Sequence, residues 1–248
     1  MARVVAVHGA FNELWGPHEI AARWLPALRD GLWKCDATIA DDDFAVCFYG
    51  DLFRHDPERE DADTISSTRA GAAELLASLP GGNVLEHLQQ QAGAAMYERT
   101  LDLVAAMADK EALAHEVTQR VLAVIGPDTR VVVAHSLGTL ISYRALCLHP
   151  EWGVDTFITL GSPLGNPMMR AALFRGPAQY ETPWPGSIRR WVNVAAVGDL
   201  AAAVDRLAPI FDPRVEDRRI DNGHRAHDPE PYLNATVTGE AVAAALGR

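Results

Sequence analysis

Cysteine, basic residues and long apolar runs are all scarce in this chain, and each shortage excludes a class of protein. The three cysteines, Cys35, Cys47 and Cys147, are odd in number and far apart. They do not make a disulfide scaffold, and a reduced, cytoplasmic setting is the expectation. Lys plus Arg number 22 against 33 Asp plus Glu, a net charge of −11 that repels phosphate backbones and anionic lipid surfaces, so no nucleic-acid partner is expected. No apolar stretch approaches the roughly 20 residues of a membrane helix. Met1-Ala2-Arg3-Val4-Val5-Ala6-Val7 runs straight into His8-Gly9, with neither the apolar core nor the cleavage site of a secretion signal. No Gly-rich phosphate loop follows this first apolar run, so no nucleotide cofactor is expected.

What is present is the composition of a soluble globular protein, with 48% hydrophobic and 22% charged residues in 248. At roughly 150 residues per domain, one domain with an insertion accounts for the length. Short β-branched runs alternate with segments of helical period, which predicts an α/β fold around a mostly parallel sheet. Six strands are expected, over residues 3–7, 44–49, 130–134, 156–160, 188–195 and 215–220. Ile20, Ala21, Trp24, Leu25 and Leu28 repeat at three and four and predict a helix that Gly31 ends or kinks. Residues 109–125 predict another helix, closed by Gly126-Pro127, and a last helix is expected to start near Tyr232-Leu233. Residues 51–63 are rich in charge, and residues 64–107 in Ala, Leu and Gln with no strand signal. They read together as a helical cap, residues 51–108, inserted between the second and third strands.

The sharpest chemical signal is Val131-Val132-Val133-Ala134-His135-Ser136-Leu137-Gly138-Thr139. A buried strand here meets a helix through a turn with serine at its apex and small residues two positions either side. A serine on so sharp a turn holds strained angles, and only small neighbours let strand and helix approach. The turn exposes Oγ, and the Leu137 N–H at the helix start points where an oxyanion would form.

This motif and the order of elements resemble the α/β-hydrolase superfamily, in particular its bacterial lipase- and esterase-like members, with Ala134 where many relatives carry glycine. The resemblance implies a three-layer α/β-hydrolase fold of about six strands, with the strand order doubling back beside the active site. It also implies a nucleophile, acid and histidine in that chain order. His8-Gly9-Ala10 after the first strand is similar to the family's oxyanion loop, which makes Ala10 the second amide donor beside Leu137. Asp199, where the chain leaves the fifth strand, is the expected acid, with Asp205 as the alternative. His227 is the expected base because it precedes an aromatic, Tyr232, at the opening of the terminal helix; His224 is its alternative.

Gly161-Ser162-Pro163-Leu164-Gly165 looks like a loop that lies beside the active site in lipase-type relatives. Ser162 is a weak alternative nucleophile, since Pro163 prevents the helix an elbow requires. His8, Gly9, His135, Leu164, Met168 and Met169 are the expected substrate contacts; the methionines and aromatics of the loop after Ser162 can line an adaptable apolar pocket or equally bury the loop against the body. Asp51, His55 and Asp56 lack metal-site spacing, His18-Glu19 lacks the second histidine of a zinc protease, and neither a metal nor an organic cofactor is expected. The expected activity is hydrolysis of an acyl or otherwise lipophilic ester or thioester. The alternatives are an acyltransferase, a macrocyclising thioesterase or an amidase using the same triad, and a non-catalytic binding protein of the same fold.

Overall fold

A computed structural model describes residues 1–54, 111–167, 169–170 and 183–248. The expected cap lies outside the described residues except for its first four positions, and Met168 lies outside them as well.

Among the described residues the chain forms six strands, all but the last rich in apolar residues: β1 (Val4–Val7), β2 (Phe44–Cys47), β3 (Val131–His135), β4 (Thr156–Leu160), β5 (Arg190–Ala196) and β6 (Glu216–Ile220). They make one sheet in the order β2-β1-β3-β4-β5-β6, and every neighbouring pair is parallel. Among the described residues five α-helices accompany it: α1 (Pro17–Trp33), α2 (Glu111–Val124), α3 (Leu137–Leu148), α4 (Pro229–Asn234) and α5 (Thr236–Ala245).

Continuous apolar strands suit a parallel sheet covered on both faces, because successive side chains point to opposite sides. Val131 and Val133 join Ile20, Trp24, Leu28, Leu233 and Val242 in a core under α1, α4 and α5. Val132 and Ala134 join Val117, Val121, Leu140 and Ile141 in a second core under α2 and α3. The result is three layers, helix–sheet–helix. At the edge, β6 reads Glu-Asp-Arg-Arg-Ile, and its charged side chains discourage pairing with another sheet.

Two helix boundaries differ from the sequence reading. Gly31 does not end α1, which continues to Trp33. A Cβ at Gly31 would lie 2.5 Å from the Leu233 carbonyl oxygen, and one at Gly239 would lie 2.1 Å from the Gly31 carbonyl. These glycines let the backbone of α1 contact those of α4, at Leu233, and α5, at Gly239, a tertiary requirement that overrides glycine's weak helix propensity. The terminal helical region begins at Pro229 rather than near Tyr232, and extended Ala235 divides it into α4 and α5.

Because β1 lies between β2 and β3, the chain leaves β1 in one direction and later returns on its other side. Such a reversal opens a crevice at the carboxyl ends of the two central strands. His8-Gly9 and Ser136 follow those two ends.

Candidate active site

Ser136 separates β3 from α3 with φ 53° and ψ −126°, outside the regions comfortable for an L-residue. The distortion is held from several sides. The Ser136 N–H donates to the Leu160 carbonyl over 3.0 Å, and its own carbonyl accepts from the Thr139 N–H over 2.9 Å and the Thr139 hydroxyl over 2.7 Å. Gly138 is required by space: a Cβ there would sit 2.4 Å from the carbonyl oxygens of both Val7 and His8.

The chain brings Ser136, His227 and Asp199 into hydrogen-bonding contact. His227 Nε2 is 3.0 Å from Ser136 Oγ, while Nδ1 is 2.8 and 2.9 Å from the two Asp199 carboxylate oxygens. A carboxylate can only accept here, so Nδ1 carries the proton and Nε2 faces the serine as an acceptor. Asp199 is 4% exposed and follows Gly198, whose φ of 80° turns the chain out of β5. The carboxylate also accepts from the Ala201 N–H over 2.9 Å and from the Tyr232 hydroxyl over 2.6 Å. Burial raises the Asp199 pKa, but the hydrogen bonds from His227 and Tyr232 outweigh it and hold the carboxyl below its ordinary value.

The alternatives lie elsewhere. Asp205 pairs with Arg219 at 2.8 Å. His224 is exposed on a short 3₁₀ turn. Ser162 is 2% exposed, and its Oγ accepts from the Leu164 N–H and shares a 2.8 Å hydrogen bond with Thr139.

The two expected oxyanion donors flank the serine. Leu137 opens α3, so its N–H belongs to the unpaired first turn of a helix, where the dipole favours negative charge. Ala10 lines the same cleft as Ser136 and His227. Gly9 packs against Ser136 so tightly that a Cβ would come 2.8 Å from Ser136 Cβ. Among the described residues neither the Ala10 nor the Leu137 N–H has a hydrogen-bond acceptor.

Several expected substrate contacts are placed differently. His8 is fully buried, with Nδ1 2.7 Å from the Gly9 carbonyl and Nε2 3.2 Å from the Tyr49 N–H, so it does not reach the cleft. Leu164 and Met169 are 0% and 1% exposed and belong to the core under α2 and α3. Apolar residues on a loop can line a pocket or bury the loop, and these two do the latter. His135 does line the cleft, but its Nε2 is 2.8 Å from the main-chain carbonyl of His227. Desolvation lowers the His135 pKa to about 3 and that of His8 to about 4, so both rings are neutral near pH 7.

The cleft, of about 250 Å³, takes its apolar wall from residues the sequence did not single out for the site: Phe11, Trp15, Ile20 and Trp24. Phe11 holds a φ of 65°, a left-handed conformation uncommon for a bulky residue, and is 47% exposed. The aromatic-rich stretch that continues the Gly9 loop into α1 was the available signal. Among the described residues no cluster of metal-ligating side chains occurs, and Asp51 instead pairs with Arg120 at 3.0 Å. No helix among them is long and apolar enough to cross a membrane.

Comparisons with protein-family models, curated proteins and solved structures return no match.

Proposed function

We propose that this protein is a serine hydrolase of the α/β-hydrolase type that cleaves an ester or thioester of an acyl, lipophilic substrate. The observation that carries the reading is the 3.0 Å approach of His227 Nε2 to Ser136 Oγ, with Asp199 bonded to the opposite ring nitrogen. Ser136 Oγ attacks the carbonyl carbon as His227 Nε2 takes its proton, and Asp199 stabilises the resulting imidazolium. The developing oxyanion is met by the N–H groups of Ala10 and Leu137, and removing one such donor typically costs about 2.7–4 kcal/mol of barrier. His227 then protonates the leaving group, activates a water against the acyl-enzyme and returns the proton to Ser136. The parallel sheet with its reversal between β1 and β3 supports the fold assignment, and the aromatic wall of the cleft supports an apolar substrate portion. The three cysteines are unpaired, which supports a reducing, cytoplasmic location.

The test is hydrolysis of p-nitrophenyl esters and acyl thioesters of graded chain length by wild type and Ser136→Ala, with and without a competing alcohol. The expected result is turnover by wild type that depends on chain length, yields free acid in the presence of the alcohol, and falls about 10⁴-fold or more in Ser136→Ala. Equal rates for the two proteins would overturn the reading. Acyl transfer to the alcohol in preference to water would move it to an acyltransferase.

A further inference from the structure

The Gly9–Ala10 peptide is gripped by its carbonyl end from two directions. Asn12 Nδ2 lies 3.1 Å from the Gly9 carbonyl and 3.0 Å from that of Ala10. Both neighbours are acceptors, so the amide must present its nitrogen to them. On the other side, His8 Nε2 accepts from the Tyr49 N–H, which places the ring proton on Nδ1 and lets Nδ1 donate to the Gly9 carbonyl over 2.7 Å. The His8 ring is fixed in turn: Tyr49 stacks on it at 4.0 Å between centroids, and the Tyr49 hydroxyl donates to the His8 carbonyl. Burial keeps His8 neutral, so this tautomer persists across the pH range in which a serine hydrolase works.

A trans peptide is planar, and its C=O and N–H point in opposite directions. The chain has no cis peptide among its described residues. Fixing the Gly9 carbonyl between two donors therefore fixes the Ala10 N–H on the other side of the same plane, while Gly9 itself abuts Ser136. We propose that Asn12 and His8 are positioning residues that lock the Gly9–Ala10 peptide with its amide N–H aimed into the oxyanion site. The inference rests on the hydrolase reading above and adds two side chains whose hydrogen bonds go to the main chain. A donor that does not have to reorient when charge develops is worth more to the transition state than one that rotates into place. Asn12 also holds the Ala10 carbonyl, which limits rotation of the next peptide, at the left-handed residue Phe11.

The test compares Asn12→Ala and Asn12→Asp with wild type, because this half-buried loop position can be changed without opening the core. Asn12→Ala removes the donor, and Asn12→Asp places a carboxylate against two carbonyl oxygens. Four readouts are taken: kcat, KM, the pH profile of kcat/KM, and affinity for an alkylboronic acid, whose adduct on Ser136 puts a negatively charged oxygen in the oxyanion site. Loss of aim at one donor predicts that kcat falls about 10- to 100-fold, more for Asn12→Asp, and that boronate affinity falls by the same factor. KM stays within about twofold, and the acid limb of the pH profile stays in place because the triad is untouched. His8→Phe, which preserves the stacking on Tyr49 but lacks the Nδ1 donor, is expected to show the same split. Variants whose kcat and boronate affinity match an active wild type overturn this proposal alone. A loss confined to KM, with boronate affinity unchanged, also overturns it, since Asn12 would then be a substrate contact. A wild type that turns over no ester and binds no boronate overturns the hydrolase reading and this inference with it.

Discussion

Tyr232 donates its phenolic proton to Asp199 Oδ2 over 2.6 Å and accepts the Ala196 N–H over 2.8 Å. The carboxylate behind His227 is therefore anchored both to the helix that follows the histidine and to the end of β5. Tyr232→Phe preserves the buried ring but leaves that N–H without its acceptor and the carboxylate short of a donor. Stability is expected to fall by about 1–3 kcal/mol in urea titration. Losing the Tyr232 donor lets the Asp199 carboxyl rise from its depressed value, so the acid limb of kcat/KM should move to higher pH. An acid limb that stays in place or moves down would contradict this.

His135 ties His227 to the strand that ends at Ser136. Its neutral ring donates from Nε2 to the His227 carbonyl, 2.8 Å away, fixing the main chain from which the His227 imidazole projects. His135→Phe keeps an aromatic ring there without the donor. Misplacing a reacting group by about 1 Å can slow a reaction about 100-fold, so a 10- to 100-fold loss is expected in the bimolecular rate of phosphonylation of Ser136. An unchanged rate would remove His135 from the positioning network.

Close approach at the elbow predicts a sharp difference between glycines. Gly138→Ala would drive a methyl to 2.4 Å from two main-chain oxygens, and Gly161→Ala, at φ 54°, to 2.7 Å from Asp199 Oδ2. Each should destabilise the protein by about 3 kcal/mol or abolish soluble expression. Gly153, where the nearest atom to an added Cβ is 3.6 Å away, is the control. Gly153→Ala should stay within about 0.5 kcal/mol by thermal unfolding.

Local pattern carried the sheet and the turn at Ser136, and tertiary contact decided the rest. The Val131–Val133 run and the small residues around Ser136 encode strand, turn and helix within nine residues, so the elbow is readable as a string. Asp199 and His227 were reachable only through chain order, since 28 positions separate two groups that meet at 2.8 Å. Asn12 and the Tyr232 hydroxyl escaped because their partners are a main-chain carbonyl and a buried carboxylate, which no spacing rule encodes. That Gly31 does not end α1 could not be read locally, because the atom it makes room for, the Leu233 carbonyl, comes from the other end of the chain. Leu164 and Met169 lie in the core, which apolarity alone does not separate from a pocket wall.

The buried neutral histidines predict sensitivity to acid. For His8 and His135 the folded pKa values, about 4 and about 3, lie below the unfolded value of 6.5. The unfolded chain therefore binds the extra protons. Their contribution is complete above pH 6.5 and declines as pH falls towards those folded values, by about 1.4 kcal/mol per pH unit for each. Asp199, with its folded pKa depressed, adds a loss in the same direction as pH falls through its own folded value. Urea midpoints between pH 7.5 and 4.5 should drop steeply, and the slope should lessen in His8→Phe. A flat profile would show that these rings are not held neutral by burial.

The most direct test of the triad is its reaction with a fluorophosphonate, followed by peptide mapping in the mass spectrometer. The expected result is one phosphonyl group per chain on the peptide containing Ser136, with labelling abolished in Ser136→Ala and strongly slowed in His227→Ala. A folded wild-type protein that takes no label, or takes it equally well without the Ser136 hydroxyl, would contradict the account.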